Sequence, residues 1–287
     1  MLFMKSCPII LIGSSSSGTT LISRLLLSAG VVMGRLLDVN AESLFFQGLN
    51  RSMIQQFNGS WYSIQFYPRF LLHLACSDQL SRQTRNRLNL RFLHTHFGHP
   101  KAFLLLFKRN KKRVCWGWKD PRNTLTLPVW LSVFPRAKVL HVIRHGLDVA
   151  ISLREREEKR RNHAKAVVTI PSTDPPIMED TSLEACFRLW EKYVNIGRSY
   201  KWVLDDRYLE LHFEDLLDNP KEHFKRIMHF GGYSDRDIVP ILENCMPLVD
   251  SGRTKRFKNP KYSEFYDMFC NHQLLQELGY SLERESS

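Results

Sequence analysis

The densest group of chemically useful side chains is one short run, Gly13-Ser14-Ser15-Ser16-Ser17-Gly18-Thr19-Thr20. An apolar stretch, Pro8–Ile12, precedes it, and a stripe of Leu21, Ile22, Leu25 and Leu26 at helical spacing follows. Strand, glycine-bounded turn and helix is the layout of the phosphate-binding loop G-x-x-x-x-G-K-[ST]. Glycines let the chain curl, so that successive N–H groups and a helix N-terminus face an anion. In NTPases the motif's lysine works on the β- and γ-phosphates; here Thr19 takes its place, which argues against ATP or GTP hydrolysis. Hydroxyls at Ser17, Thr19 and Thr20 suit an anion with fewer phosphates. Read alone, the run can also be taken as a serine-rich turn capping a core helix.

Two further segments carry cations at strand ends. Trp118-Lys119-Asp120-Pro121-Arg122-Asn123 follows the second apolar run, at the carboxyl edge where open α/β sheets bind ligands. The alternative is a helix start, with Asn123 as its cap and Lys119 and Arg122 in solvent. The third run ends in Arg144, and Ser152 stands eight residues on, inside the next helix. A planar guanidinium and a hydroxyl can converge there on one anion, with Asp148 holding the arginine or capping the helix.

Taken together, Gly13–Thr20 and Arg144–Ser152 resemble the sulfotransferases that use 3′-phosphoadenosine 5′-phosphosulfate (PAPS). The likeness runs from about Pro8 to Leu282 and includes Glu214-Asp215-Leu216-Leu217 before Asn219-Pro220. It implies that Ser16, Ser17, Gly18, Thr19 and Thr20 hold the 5′-phosphosulfate and that Arg144 and Ser152 hold the 3′-phosphate. The basic loop Ser251–Arg256 is similar to the family's late 3′-phosphate loop, which adds Arg253 and Lys255. The Lys119-Asp-Pro segment is similar to the tyrosylprotein and bacterial branches, which read Pro-Arg-Ser-Gly-Thr-Thr where this chain reads Ser15–Thr20. Ser16 therefore stands where those branches carry a catalytic Arg or Lys. The resemblance implies PAPS as co-substrate, no metal, Lys119 as the cation on the leaving group and Glu42 as general base, with Asp38, His94 and His96 in reserve. Glu42 reads otherwise as a first-turn helix acid.

The acceptor, a small molecule, glycan or peptide offering a hydroxyl or amine, is weakly encoded. Trp61, Tyr62 and Tyr67 can line its pocket, although at helical spacing they also suit a core. The basic runs Lys108–Arg113 and Arg154–Arg161 suit an anionic glycan or acidic peptide, or are solvated faces. The rival readings are a catalytically weak or inactive nucleotide-binding protein on the same fold, a small-molecule kinase, and a nucleic-acid binder. For the last no reading motif is present.

These groups need a scaffold. Pro8–Gly13, Val114–Trp118, Lys138–Ile143 and Tyr208–Phe213 read as strands buried on both faces. Helices are expected over about Gly18–Ala29, Asn123–Val133, from Gly146 through the charged run, Ser182–Val203 and Asn219–Phe230, with His163–Thr181 as a loop. The fold class is α/β, a P-loop-like open parallel β-sheet flanked by helices on both faces, in a single domain over residues 1–287. The 41 Lys and Arg against 29 Asp and Glu, a formal charge of +12, favour an anionic partner. The six cysteines are scattered without zinc-ligand spacing, Cys7 and Cys115 read as buried, and no disulfide framework is expected. No apolar window reaches span length, and a chain opening on its first strand reads as cytoplasmic.

Overall fold

A computed structural model describes residues 7–98, 115–166, 178–248 and 254–280. Its centre is β1 (Ile9–Ile12), four apolar residues all buried. Alternation along this strand splits them between two cores. Ile10 and Ile12 join Trp118, Trp130, Val139 and Ile143 on one face, whereas Ile9 and Leu11 join Leu25, Leu26, Leu140 and Val142 on the other. An apolar run without polar alternation is thus the signature of a strand covered on both sides. Each fully buried aliphatic side chain contributes about 1.5–3 kcal/mol relative to exposure.

The elements follow in the order α1 (Thr19–Ser28), α2 (Leu44–Gln55), α3 (Tyr67–Cys76), α4 (Gln79–Arg87), α5 (Leu90–Phe97), β2 (Gly117–Lys119), α6 (Asn123–Val133), β3 (Lys138–Ile143), α7 (Gly146–Ala166), α8 (Leu183–Arg198) and α9 (Lys201–Leu204). Next come β4 (Tyr208–His212), α10 (Phe213–Asp218), α11 (Pro220–Gly231), α12 (Asp235–Cys245), α13 (Ser263–Phe269) and α14 (Gln273–Glu277). All four strands are parallel, in the order β2-β1-β3-β4. Helices α1, α10, α11 and α12 cover one face; α2, α6, α7 and α8 cover the other. The chain leaves β1 toward β2 on one side and then crosses to β3 on the other. The turn after β1 therefore opens at the point where strand order reverses, which is where open α/β sheets form a crevice.

The four strands and the main helices agree with the sequence reading, with differences that have physical causes. The second strand sits later than expected, at Gly117–Lys119, because Trp116 instead makes an isolated bridge with Val32. Helix α7 runs on to Ala166, into the segment expected as loop, because Arg and Glu at i,i+4 (Arg154 and Glu158, 2.8 Å) support it without an apolar stripe. The expected Ser182–Val203 helix ends at Arg198 and resumes at Lys201. The short helices over residues 44–97 had no sequence expectation. Cys7 is exposed, its thiol on the carbonyl of Arg136, and Cys115 is half-buried rather than buried; all six cysteines are free. Among the described residues, no helix is long and apolar enough to cross a membrane.

Candidate active site

The turn between β1 and α1 is held in a left-handed conformation that favours glycine. Gly13, Ser16 and Gly18 have φ of 149°, 68° and 93°. A Cβ on Gly18 would lie 2.2 Å from the Phe213 ring, so glycine is required for space as well as for backbone angle. Thr124 of α6 fixes the start of the turn, accepting from the Gly13 N–H at 3.1 Å. Helix α1 then begins at Thr19 with no acidic residue in its first turn, leaving its N-terminal dipole open to an anion. The hydroxyls of Ser14 and Ser17 are buried with no hydrogen-bonding partner. Buried polar groups are normally satisfied, so two orphaned hydroxyls in one turn fit a site built for an anion.

Among the described residues, three cations from three other elements reach this cation-free turn. Lys119, at the end of β2, donates to Thr20 Oγ1 (3.3 Å), the Asn40 carbonyl (3.1 Å) and Glu42 Oε1 (2.8 Å). Arg144, just after β3, donates to the Ser16 carbonyl at 3.3 Å and pairs with Asp148 at 3.3 Å, its guanidinium 5.3 Å from the centre of the Phe213 ring. Arg156 of α7 donates to Ser15 Oγ and lies 5.3 Å from the centre of the Trp61 ring.

The Lys119–Arg122 segment is buried, not solvated. Arg122 pairs with Asp120 (2.8 Å) and with Glu42 Oε2 (3.3 Å). Asn123 does not cap α6: it is the first helical residue, and its amide bonds the Leu11 carbonyl at 3.1 Å. Beneath them Asn50 of α2 donates to Asp120 (2.9 Å) and Asn123 (2.8 Å) and accepts from Thr126 (2.7 Å) and Trp130 (2.8 Å). A buried network satisfied at every member fixes the β2 end rigidly.

Glu42 precedes α2 and is not a first-turn helix acid; Ser43 is the N-cap. Burial alone would raise its pKa, but the charges of Lys119 and Arg122 prevail and hold the carboxyl below its usual range. It lines a cavity of about 660 Å³ together with Trp61, Arg51, Arg122, Arg156 and Arg160. Of the reserve residues, Asp38 accepts from the backbone N–H groups of Asn40 and Glu42 and so shapes the wall. His96 is fully buried against Ser43, and burial lowers its pKa to about 3; His94 is exposed on α5. Neither histidine lines the cavity. Of the expected pocket aromatics, Trp61 lines the cavity, while Tyr62 and Tyr67 pack against the core.

Asp148 organises the other side. Besides Arg144 it accepts from the backbone N–H groups of Lys255 and Arg256, both at 2.8 Å. This draws the late basic segment onto the first turn of α7 and stacks Phe257 on the His145 ring, 4.2 Å between centres. Lys255 is exposed at a φ of 58°, and Ser152 is half-buried in the second turn of α7. Arg253 and the run Lys108–Arg113 lie outside the described residues.

The sequence reading did not single out Arg156, Glu157 and Arg160. It took Arg154–Arg161 as a run for an anionic glycan or acidic peptide, or as a solvated face, yet the Glu157 carboxylate is fully buried, accepting from Arg156 (3.2 Å), Arg160 (3.0 Å) and the Met178 N–H (3.3 Å). The available signal was the four-residue spacing of Ser152, Arg156 and Arg160, which puts them on one helix face. Among the described residues no group of three or more His, Cys, Asp or Glu side chains is arranged to hold a metal.

A model of the sulfotransferase family matches residues 8–237. Two curated relatives are the omega-hydroxy-beta-dihydromenaquinone-9 sulfotransferases Stf3 of Mycobacterium bovis and Mycobacterium tuberculosis. Each is 25% identical over 129 residues, 45% of this chain and 31% of the relative's length. The chain thus matches about a third of those relatives. Among solved structures, the sulfotransferase domain from the curacin biosynthetic pathway is similar with a TM-score of 0.52 at 15% identity, covering 96% of this chain and 99% of that one. That likeness shows a shared fold. A family match running from β1 through the turn, the two cation-bearing strand ends, Arg156 of α7 and on through α11 means that this chain belongs to the sulfotransferase family.

Proposed function

We propose that the chain transfers a sulfuryl group from PAPS to a hydroxyl or amine acceptor, as a single cytoplasmic domain over residues 1–287. What carries this reading is the convergence of Lys119, Arg144 and Arg156 on a turn whose own Ser14 and Ser17 hydroxyls lack partners. The turn and the α1 N-terminus suit the 5′-phosphosulfate, through Ser16, Ser17, Gly18, Thr19 and Thr20. Arg144 and Ser152 suit the 3′-phosphate, with Lys255 and Arg253 on the late loop beside them. Arg144 then exchanges its present contact with the Ser16 carbonyl for phosphate oxygens.

The chemistry is an in-line displacement. An acceptor oxygen or nitrogen forms a bond to sulfur as the bond from sulfur to the bridging phosphate oxygen breaks, and the electron pair stays on that oxygen. The acceptor proton passes to Glu42, which is ionised at neutral pH and faces the cavity where an acceptor fits. Its two ion pairs keep it a weak base, so the larger contribution is stabilisation of charge on the leaving phosphate. Lys119 sits between Glu42 and Thr20, at the junction of the acceptor cavity and the turn. No step calls on a metal.

A second reading has a specific observation behind it. All three ammonium donors of Lys119 are engaged, by Glu42, Asn40 and Thr20, and the turn has no cation of its own. A protein so built can hold the nucleotide and turn over slowly. Thermal-shift measurements with adenosine 3′,5′-bisphosphate, AMP and ATP test the main reading. The bisphosphate is expected to stabilise most, by about 2.7 kcal/mol at 100 times its dissociation constant, and Arg144→Ala is expected to abolish the preference. Equal stabilisation by all three ligands overturns the donor assignment. Sulfuryl transfer by the wild type, against transfer only after Ser16→Arg, separates the two readings.

A further inference from the structure

We propose that Arg156 supplies, from helix α7, the cation that the β1–α1 turn lacks, and that it binds the 5′ end of the donor on the side facing the acceptor cavity. This rests on the donor assignment above.

Between Gly13 and Thr20 there is no charged side chain, so any cation at the 5′ end must come from elsewhere. Among the described residues three reach the turn, and their commitments differ. Lys119 has used each of its three donors on Glu42, Asn40 and Thr20, and its side chain is 2% exposed. Arg144 is held by the Ser16 carbonyl and by Asp148, on the side of the late loop. Arg156 bonds Ser15 Oγ, the hydroxyl beside Ser16, through one terminal nitrogen, and Glu157 through Nε. Two of its five N–H donors are used in these contacts, and its side chain remains 40% exposed on the cavity wall. Among the described cations at the turn it is the one that combines spare donors with access to a ligand, since the Arg144 side chain is 7% exposed.

Its geometry is prepared rather than accidental. Glu157, whose carboxylate is fully buried, anchors the Nε side, and the Trp61 ring supports the guanidinium plane at 5.3 Å. Ser152, Arg156 and Arg160 rise along one face of α7 at four-residue spacing, which leads the same helix from the expected 3′-phosphate site to the cavity. A guanidinium so fixed is suited to a phosphate or sulfate, whose oxygens it can bind in pairs. During transfer it would meet the charge growing on the leaving phosphate, the part that Ser16 cannot play.

The test uses fragments of the donor on the full-length protein. Calorimetric affinities for adenosine 3′,5′-bisphosphate, 5′-AMP and 3′-AMP are compared in the wild type, Arg156→Ala, Arg156→Lys and Arg156→Ala with Ser16→Arg. Removing Arg156 is expected to weaken both ligands bearing a 5′-phosphate by about tenfold to a hundredfold, and to leave 3′-AMP unchanged. Lysine is expected to recover part of the loss, and Ser16→Arg most of it. Unchanged affinity for the 5′-phosphate ligands in a folded Arg156→Ala, with Arg144→Ala still weakening 3′-AMP, overturns the role of Arg156 alone. A wild type indifferent to all three ligands overturns the donor assignment with it. Should Arg156→Ala not fold, phenylglyoxal labelling of the wild type, mapped by mass spectrometry, gives the answer. Protection of Arg156 by 5′-AMP but not by 3′-AMP supports the role, and equal protection by both overturns it.

Discussion

The Lys119–Glu42 pair offers the sharpest test of how the site is built. Its atoms are 2.8 Å apart, with side-chain exposures of 2% and 9%, so neither charge has water to fall back on. Breaking a buried pair from one side costs about 3–5 kcal/mol, because the surviving charge is stranded. Lys119→Met strands Glu42, which keeps the longer ion pair to Arg122 at 3.3 Å; Glu42→Gln strands Lys119 against a carbonyl and a hydroxyl. Each single variant should lower stability by about 3–5 kcal/mol, or the melting temperature by roughly 6–20 °C at about 2–4 °C per kcal/mol. The double variant removes both charges at once and should cost about 2–3 kcal/mol less than the sum of the singles, the upper range for residues in contact. Urea unfolding of the four proteins, wild type included, measures this cycle without needing any substrate. Additivity within about 0.5 kcal/mol would refute the claim that the two charges hold each other, and with it the positioning of Glu42 on the cavity wall.

Other outcomes follow from single contacts. Gly18→Ala places a Cβ against the Phe213 ring and a side chain at a φ of 93°. The expected loss is about 2–4 kcal/mol from left-handed backbone plus overpacking, partly restored by Phe213→Leu; an unchanged urea midpoint would contradict it. Burial lowers the pKa values of His96, His141 and His145 to about 3, 4 and 3, so between these values and about 6.5 the unfolded chain binds protons that the native one refuses. Stability should therefore fall as pH drops from 7 to 5, by about 2 kcal/mol per histidine, and His96→Gln should remove one such share from a urea series at the two pH values. Asp148→Ala should free the Lys255–Phe257 segment and raise amide exchange there, since two of its N–H groups lose an acceptor at 2.8 Å; Asp148→Asn, which keeps one acceptor oxygen, should do so less. Unaltered exchange in Asp148→Ala would show that packing alone holds the segment.

The sequence by itself determined the scaffold and the places where chemistry would gather. Short apolar runs without alternation, bounded by turn residues and rich in β-branched side chains, suit strands covered on both faces, so Ile9–Ile12 and Lys138–Ile143 were readable, as was α6 between Asn123 and Val133. Glycine and hydroxyl spacing marked the turn because backbone angles near Gly13 and Gly18 are a local property of the chain. Lys119 and Arg144 were legible as cations at strand ends. Their partners were not, because a side chain's charge state and contacts depend on what burial brings beside it. Glu42 reaches Lys119 across 77 residues, Asp148 reaches the Lys255 N–H across 107, and Arg156 reaches Ser15 across 141. Arg156 and Glu157 had the composition of a solvated face; only the packing of α7 against the turn and Trp61 made one a buried carboxylate and the other a cation at the site. Local spacing sets where backbone can curl and which faces are apolar, whereas pairing between distant charges exists only after the sheet has closed around them.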